Sequence, residues 1–480
     1  MSDYLSTHLE ARRTFAERNG QDTPHDRRRN RFFHDQVDRL VASQIVPHSR
    51  VIDVGCATGA TLAACSPSSG IGVDLDASAL ARARASHPDQ GFLESPVEHL
   101  IGTPLDDPDY VILSMVLDEV YDVQHVLEVV HEWTAPSTRL VIVTYSRLWR
   151  PFIALAERLR LKVRADGENY VPWVEVENLL ALSGFEVTKR LDGVLAPLRV
   201  PLLSRFINRW IAPLPLIRQL CLVRITIARP KRSDSSPVDS VSVVVAARNE
   251  SGHIRELIER LPQLASKQEL IFVEGGSTDD TWAVIQECVQ DSSAGSSTKL
   301  IALQQTGKGK GDAVRAGFAA ATGDLLMILD ADLSVPPEEL PKFVRAISDD
   351  ACEFANGSRL VYPMEAKAMR FLNIIGNKFF GYAFSYLLGQ PIRDTLCGTK
   401  VLRRSSYERI ASNRNRYGDF DPFGDFDLLF GASGLAMRIR DVPVHYKERT
   451  YGTTNISRFS HGLLLLRMCS VAAKRLKFVG

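Results

Sequence analysis

VIDVGCATG, residues 51–59, begins as an apolar strand, ends that strand in Asp53 and turns through Gly55, Ala57 and Gly59 into a helix from about Ala60. Small residues in such a loop let backbone amides come close to a ligand. The next strand, GIGVD at 70–74, ends in Asp74, fifteen residues beyond Gly59. A carboxylate at that point accepts both hydroxyls of a ribose. A glycine loop alone is more often a tight turn than a binding site. An acid at the neighbouring strand tip turns the pair into a nucleoside pocket.

Outward from this point, apolar strand-like runs at 51–54, 70–74, 110–114 and 140–144 alternate with helical ones at 78–86 and 123–133. That alternation predicts a parallel sheet. It is interrupted by ARPKRSDSSPVD at 228–239, whose prolines and serines read as an interdomain connection. It restarts with SVVVAA at 242–247, LIFV at 270–273 and LLMIL at 325–329. The chain is therefore expected to be α/β, in two domains. The expected divisions are a basic leader over 1–35 (Arg27, Arg28, Arg29, Arg31), a first domain over 36–230, a linker over 231–239 and a second domain over 240–480.

The 480 residues include 58 Lys plus Arg against 57 Asp plus Glu, with 24% charged and 45% hydrophobic residues. This profile belongs to globular proteins and excludes disordered, collagen-like and coiled-coil classes. A net charge of +1 offers no bulk attraction to nucleic acid, and no such partner is expected. The first twenty residues carry Asp3, Glu10, Arg12, Arg13, Glu17 and Arg18, without the apolar core of a secretory signal. Seven scattered cysteines with no Cys-x-x-Cys pair favour reduced thiols, so the cytosol is the expected compartment.

The longest charge-free apolar run, 379–392, falls short of the roughly twenty residues a helix needs to cross a bilayer. Two stretches nonetheless have an interfacial composition. Residues 197–232 set Arg199, Arg205, Arg209, Arg218, Arg224, Arg229, Lys231 and Arg232 among apolar residues without an acid. Residues 456–480 do the same with Arg458, Arg467, Lys474, Arg475 and Lys477. Pro197, Pro201, Pro213, Pro215 and Pro230 break the first stretch into short pieces, so ordinary domain packing is an equal reading of it. The aromatic run 371–386 either faces lipid or covers an acceptor channel. Peripheral contact with an anionic inner leaflet is the expectation.

The motifs over 51–74 resemble the class I S-adenosylmethionine-dependent methyltransferases, whose first motif reads Asp-x-Gly-x-Gly-x-Gly and whose second ends a strand in an acid. Asp53, Gly55, Gly59 and Asp74 match; Ala57 replaces the middle glycine, which the loop tolerates if φ there is negative. The likeness continues through DYVILSMVLDEVYDVQ at 109–124 and covers roughly 36–230. It implies a Rossmann-like fold with S-adenosylmethionine as cofactor on Asp53, Gly55, Gly59 and Asp74. Val97 would pack on the adenine, beside Pro96 where the family often has an acid, and Ser114 lies at the fourth strand tip. A dinucleotide loop would read Gly-x-Gly-x-x-Gly. Methyl transfer from a sulfonium is an in-line displacement governed by alignment, and a base is needed only for a protonated nucleophile. Ser114, Asp118, Glu119 and Tyr145 stand near the strand tips, where capping or structural roles are the more frequent use of such residues. A binding or scaffold module without catalysis is the alternative for this domain.

Asp-x-Asp recurs at 74/76, 107/109, 330/332, 419/421 and 425/427, so the pattern alone says little. Only Asp330 and Asp332 directly follow a buried-strand run, at the carboxyl edge where α/β sheets bind ligands. Two carboxylates there repel unless a cation joins them. Oxygen donors suit Mg2+ or Mn2+, and Mg2+ rests on one or two carboxylates plus substrate phosphates.

Three flanking stretches resemble family 2 glycosyltransferases of the GT-A fold over nearly all of 238–480. VSVVVAARNE ends in Arg248, Asn249 and Glu250, where the family contacts the nucleotide base, with Ala246 in place of a proline. LIFVEGGSTDDT has Glu274 and Gly275 where two acids usually stand. GKGKGDAVRAGFAAATGD at 307–324 is similar to the family's Gly-Lys-Gly helix and supplies Lys308, Gly309, Lys310 and Arg315; no Gly-Lys-Ser/Thr closes it as in a Walker loop. The resemblance implies a nucleotide sugar held by Ala246, Arg248, Glu250, Glu274, Gly309, Lys310, Asp330 and Ala331, with the divalent ion on Asp330 and Asp332.

GSRL at 357–360, RDTLCGTKV at 393–401, FGDFDLLF at 423–430 and PVHYKERTYGTTNISRF at 443–459 resemble the acceptor half of polyprenyl-phosphate sugar synthases. Such enzymes invert at the anomeric carbon while Arg or Lys holds the charge of the leaving diphosphate. Arg359, Arg449 and Arg458 are the candidate phosphate clamps, since a guanidinium grips a phosphate with two parallel bonds; surface solvation is the equal alternative for each. With a hydroxyl nucleophile, Asp425 or Asp427 would act as base; a phosphate oxygen needs none. Gly424 interrupts the Glu-Asp dyad of hydroxyl-transferring relatives, which favours a phosphate acceptor. His445 either reaches the metal or diphosphate or, as an equal alternative, is a packed or a surface histidine. The chain is thus expected to be a bifunctional fusion that transfers a sugar to a polyprenyl phosphate and methylates a related glycan or lipid intermediate.

Overall fold

The computed structural model describes residues 2–19, 30–103, 105, 107–159, 171–232, 237–292, 297–362, 371–417, 426–447 and 458–479; for 2–3, 16–19, 371–375 and 458–461 it describes the backbone alone. The chain divides into two compact units, Met1–Arg232 with Phe478–Gly480, and Ser233–Lys477. Both are α/β.

The first unit holds seven strands: β1 (Arg50–Val54), β2 (Ser69–Asp74), β3 (Gly91–Glu94), β4 (Tyr110–Ser114), β5 (Arg139–Tyr145), β6 (Phe185–Gly193) and β7 (Val223–Pro230), in the order β3-β2-β1-β4-β5-β7-β6. Neighbours among β1 to β5 are parallel, and β7 runs antiparallel to both β5 and β6. Val111, Leu113, Leu140 and Ile142 are fully buried and share one apolar cluster with Val126, Leu127 and Val130 of the helix Val123–Glu132. Strands covered on both faces read as continuous apolar runs, which is why β1, β4 and β5 were visible in the sequence. Helix starts follow local chemistry: Asp76 caps Ala77–Ser86 by accepting the amides of Ser78 and Ala79, and Asp122 caps the next by accepting that of His125. The leader's described part forms the helix Ser2–Asn19 and, from Arg31, the first turn of the helix Arg31–Gln44; Arg27, Arg28 and Arg29 lie outside the described residues.

The expected connection at 228–239 starts too early. Ala228, Arg229 and Pro230 are the buried end of β7, paired with Val187, Glu186 and Phe185. Arg229 is held at 3.1 Å by Glu186 on the strand opposite, so a charge that reads as a loop is neutralised inside a hairpin.

The second unit holds β8 (Ser240–Ala247), β9 (Lys267–Glu274), β10 (Thr298–Gln304), β11 (Leu325–Asp330), β12 (Phe354–Ser358), β13 (Lys400–Arg403) and β14 (Ile439–Pro443), in the order β10-β9-β8-β11-β13-β12-β14. β13 is antiparallel to β11 and β12. Every residue from Leu325 to Leu329 is fully buried. The helix Lys310–Ala320 lies so close to β8 that a β-carbon on Gly317 would sit 2.3 Å from Val244 Cγ1. The aromatic run falls on the helix Phe371–Leu388, with Phe384 and Leu388 buried and Phe379 and Tyr382 exposed. Among the described residues no helix is long and apolar enough to cross a membrane.

Phe343, on the buried face of the helix Leu340–Ser348, is fully enclosed by this unit's core. Phe343→Ala is expected to destabilise it by about 3–5 kcal/mol. Hydrogen exchange should accelerate in β8 and β11 and stay unchanged in β1 and β4.

Candidate functional site

In each sheet the winding reverses once, between β1 and β4 in the first and between β8 and β11 in the second. Open α/β sheets bind ligands in the crevice at such a switch point, beyond the carboxyl ends of the strands.

A cavity of about 650 Å3 opens at the first one, lined by Gly55, Ala57, Asp74, Val97 and Ser114. Asp118, Glu119 and Tyr145 line it as well. Asp53 is buried at the end of β1, and Gly59 opens the helix Ala60–Ala64 at φ +72°. Gly55 has φ +73°, and a β-carbon there would meet Val116 Cγ2 at 2.9 Å.

Ala57 departs from expectation: its φ is +47°, in the left-handed region where a β-carbon costs about 1–2 kcal/mol. The conformation is held by its own amide, which donates to Asp74 Oδ2 at 2.7 Å, while the amide of Asp76 donates to Oδ1 at 2.9 Å. Both oxygens are thereby aimed, and each keeps a lone pair for another donor. Burial raises the Asp74 carboxyl above its ordinary range, and the Asp76 and Ala57 amides pull it part of the way back. Burial, with Asp53 and Asp74 nearby, pushes the Cys56 thiol far up, so it is no nucleophile.

Sequence reasoning missed what the helix Ser2–Asn19 brings to this cavity, which is lined by its His8, Leu9, Arg12 and Phe15. Arg12 pairs with the Glu119 carboxylate, and the His8 ring meets the Glu119 carbonyl at 3.0 Å. Glu119 is therefore committed. Burial and then Arg12 lower His8, keeping the ring neutral. Tyr145 stacks on Phe33 with centroids 6.1 Å apart. An aimed carboxylate, a glycine loop and a cavity of this volume fit S-adenosylmethionine.

At the second switch point the strand ends lie in register, Asp330 beside Ala246 and Ala247 beside Glu274. The turn after β8 is stitched to the loop after β9. Asn249, at φ +58°, donates its amide to Ser277 Oγ at 3.0 Å and accepts the Thr278 amide at 2.8 Å. Asp279 accepts from Ser251 and Thr281; burial raises its carboxyl, but these donors outweigh it and hold it below the usual range. Buried Glu274 accepts the Ser277 amide at 2.5 Å, and buried Glu250 meets His253 Nδ1 at 2.9 Å. Both acids shape the loops, and Arg248 is the exposed member of the group.

Lys310, one residue past Gly309 at the helix start, places Nζ 2.5 Å from Asp330 Oδ1. Burial raises Asp330, but Lys310, then Arg359 and Lys400, outweigh it and keep the group ionised. Gly398, also missed in the sequence, supplies the floor: a β-carbon there would lie 2.1 Å from Asp330 Oδ2. Ala331 is buried, and Asp332 accepts the Ser334 amide at 3.0 Å. Among the described residues no group of three or more His, Cys, Asp and Glu could hold a metal ion. Asp330 and Asp332, two carboxylates at and just past the end of β11, are a donor set that fits a divalent ion taking its remaining ligands from elsewhere.

Other candidates sit differently from expectation. Arg359 is no free clamp: its Nε and NH2 meet the Asp394 carboxylate at 2.7 and 2.9 Å, deep in the unit. Asp427 is buried between Arg315 at 3.3 Å and Arg414 at 3.1 Å, an anchor for the helix Phe426–Gly434 and not an available base. His445 stacks on Tyr362 and bonds Glu339 at 2.8 Å. Asp425 and Arg449 lie outside the described residues, as does the side chain of Arg458 at the start of the helix Arg458–Ala472.

Comparison with known proteins matches residues 25–190 to the family described as "Methyltransferase domain" and residues 242–411 to "Glycosyl transferase family 2". Undecaprenyl-phosphate 4-deoxy-4-formamido-L-arabinose transferase of Pseudomonas fluorescens (strain SBW25) is 28% identical over 227 residues, 46% of this chain; the match spans 61% of that relative's length. Among solved structures, a SAM-dependent methyltransferase from Thermotoga maritima aligns at 15% identity and TM-score 0.36, covering 46% of this chain and 99% of its own. Glucosyl-3-phosphoglycerate synthase from Mycobacterium tuberculosis, solved with Mn2+, UDP and glucosyl-3-phosphoglycerate, aligns at 18% identity and TM-score 0.35, covering 50% and 88%.

Burial raises Asp394, and Arg359 and Lys400 outweigh it, holding the carboxyl below the ordinary range. The pair's stabilisation is therefore present above the unfolded carboxylate pKa and lost only as pH falls through the depressed folded value. Asp394→Asn strands a buried guanidinium and is expected to cost about 3–5 kcal/mol at neutral pH. Urea denaturation against pH should show that loss, together with a flatter acid limb than the parent.

Proposed function

We propose that this chain, which joins a methyltransferase domain to a family 2 glycosyltransferase domain, transfers a sugar from a nucleotide sugar to a polyprenyl phosphate at a membrane surface and methylates a related glycan or lipid intermediate. The observation that carries the glycosyl half is the alignment of Ala246, Glu274 and Asp330 at one sheet edge, with Lys310 on Asp330 and Gly398 beneath it.

The stitched turns after β8 and β9 make a wall for the nucleoside base, with Arg248 free to reach it. Asp330 and Asp332 would hold Mg2+ or Mn2+ with the donor phosphates. When bound, that ion supplies positive charge against the leaving diphosphate. Lys310 adds a cation on a flexible stem beside the same leaving group. With Asp427 held by two guanidiniums, an acceptor that arrives as an anion is the simpler fit, because a phosphate oxygen attacks without giving up a proton. Its bond to the anomeric carbon forms as the bond to the diphosphate breaks on the opposite face, inverting the centre. The likeness to an undecaprenyl-phosphate transferase supports this acceptor class.

In the other domain Asp74, aimed by two amides, takes the ribose hydroxyls, and Val97 packs on the base. S-adenosylmethionine would supply the activated methyl group, and the protein's contribution is alignment and exclusion of water. The seven cysteines are unpaired thiols, consistent with work on the cytoplasmic side of a membrane.

Nucleotide release should be assayed with UDP- and GDP-sugars and Mg2+ or Mn2+, with and without polyprenyl phosphate. Lipid-dependent release is expected, falling by about a hundredfold or more in Asp332→Asn. Gly398→Ala, which pushes a methyl group into the Asp330 carboxylate, should lower release with the fold intact. Release that ignores lipid would move the acceptor to a hydroxyl. Calorimetry should show one S-adenosylmethionine site, lost in Asp74→Ala; no heat with the parent would make the first domain a scaffold.

A further inference from the structure

The excursion between β6 and β7 buries two polar side chains in its middle, Ser204 at 1% and Asn208 at 6% exposed, with only the small Ala212 beside them and the apolar Val194, Cys221 and Leu222 buried at its two ends. Asn208 Oδ1 accepts the amides of Leu195 and Ala196 at 3.0 and 2.8 Å, and its Nδ2 donates to the Ala196 carbonyl at 3.0 Å. Ser204 Oγ donates to the Leu198 carbonyl at 2.6 Å and accepts the Val200 amide at 2.9 Å. On this fixed backbone the apolar side chains face solvent: Leu202 is 87% exposed, Leu216 83%, Leu198 75% and Phe206 56%. Leu202 also takes φ +61°, a strained conformation for leucine that leaves its side chain in water. Proteins rarely expose contiguous apolar surface of this kind without a partner for it.

The charge on the same segment says what the partner is. From Val194 to Cys221 there is no acid, and Arg199, Arg205, Arg209 and Arg218 stand among the apolar residues. None of the four pairs with a carboxylate among the described residues. Projecting leucines and phenylalanine interleaved with guanidiniums complement an anionic headgroup layer lying over acyl chains.

This surface also borders the first cavity, whose lining includes Pro197, Leu198 and Leu222 at the two ends of the excursion. Trp149 Nε1 donates to the Leu220 carbonyl at 2.8 Å, and Trp149 and the exposed Phe152 beside it line the cavity too. We propose that the β6–β7 excursion docks the protein on an anionic bilayer and sets the mouth of this cavity at headgroup level, so that the methyl acceptor is an amphiphile entering from the membrane. The acceptor clause rests on reading the first domain as a methyltransferase; the docking clause does not.

The test uses the full chain, sedimented with vesicles of phosphatidylcholine alone or mixed with phosphatidylglycerol. Binding to the mixed vesicles only, weakened by salt, is expected. Arg199→Gln with Arg205→Gln and Arg209→Gln should weaken it by about a hundredfold. Leu202→Asp with Phe206→Asp should remove it, and because these side chains are exposed both variants should melt with the parent. Equal binding by parent and variants, no binding by the parent, or a parent dimer that Leu202→Asp splits without any vesicle binding would overturn docking. Headgroup nitroxide lipids should quench both Trp149 and Trp210, compared through Trp149→Phe and Trp210→Phe. Quenching of Trp210 alone would overturn the placement of the cavity. A parent that sediments with vesicles but gives no heat with S-adenosylmethionine would fail the methyltransferase reading and leave docking standing.

Discussion

A carboxylate at the end of a buried strand has to be met by protons or by cations, and both sheets are organised around that requirement. At Asp74 the answer is two backbone amides, and the loop bends into a left-handed conformation at Ala57 to bring one of them in. At Asp330 the answer is the Lys310 ammonium, supported by Arg359 and Lys400, with bare backbone at Gly398 where any side chain would collide. An unmet ionised carboxylate in either place would cost several kcal/mol, enough to consume much of a domain's stability. The loops, the helix starts and the glycines around each site follow from satisfying one charge.

What was legible in the sequence follows the same physics. Strands buried on both faces must be apolar throughout, so β1, β4, β8 and β11 announce themselves, and the residues just past their ends lie where open α/β sheets take their ligands. Two of the strands that stayed hidden, β12 and β13, carry buried polar groups. Asn356 in β12 is fully buried because its amide serves Asp394 and Asp441, and Lys400 in β13 is fully buried among acids. A single chain read in order does not reveal such partners.

The same reason explains the arginines and aspartates whose roles changed. Arg359 reads as a phosphate clamp until Asp394, 35 positions away, closes on it with both oxygens. Asp427 reads as a base until Arg315, 112 positions away, and Arg414 enclose it. Charge at a motif position is visible in sequence; whether a distant residue has already claimed it is a property of the fold.

The alanine at position 57 has one more consequence. A glycine would relieve its strain and also widen the set of shapes open to the loop before a ligand arrives. Alanine narrows that set, so a nucleoside bound there would cost the loop less disorder, its contribution to affinity having been settled during folding. The grip on such a ligand would therefore follow the stiffness of one peptide unit, and a glycine there would relieve strain at the expense of that pre-organisation.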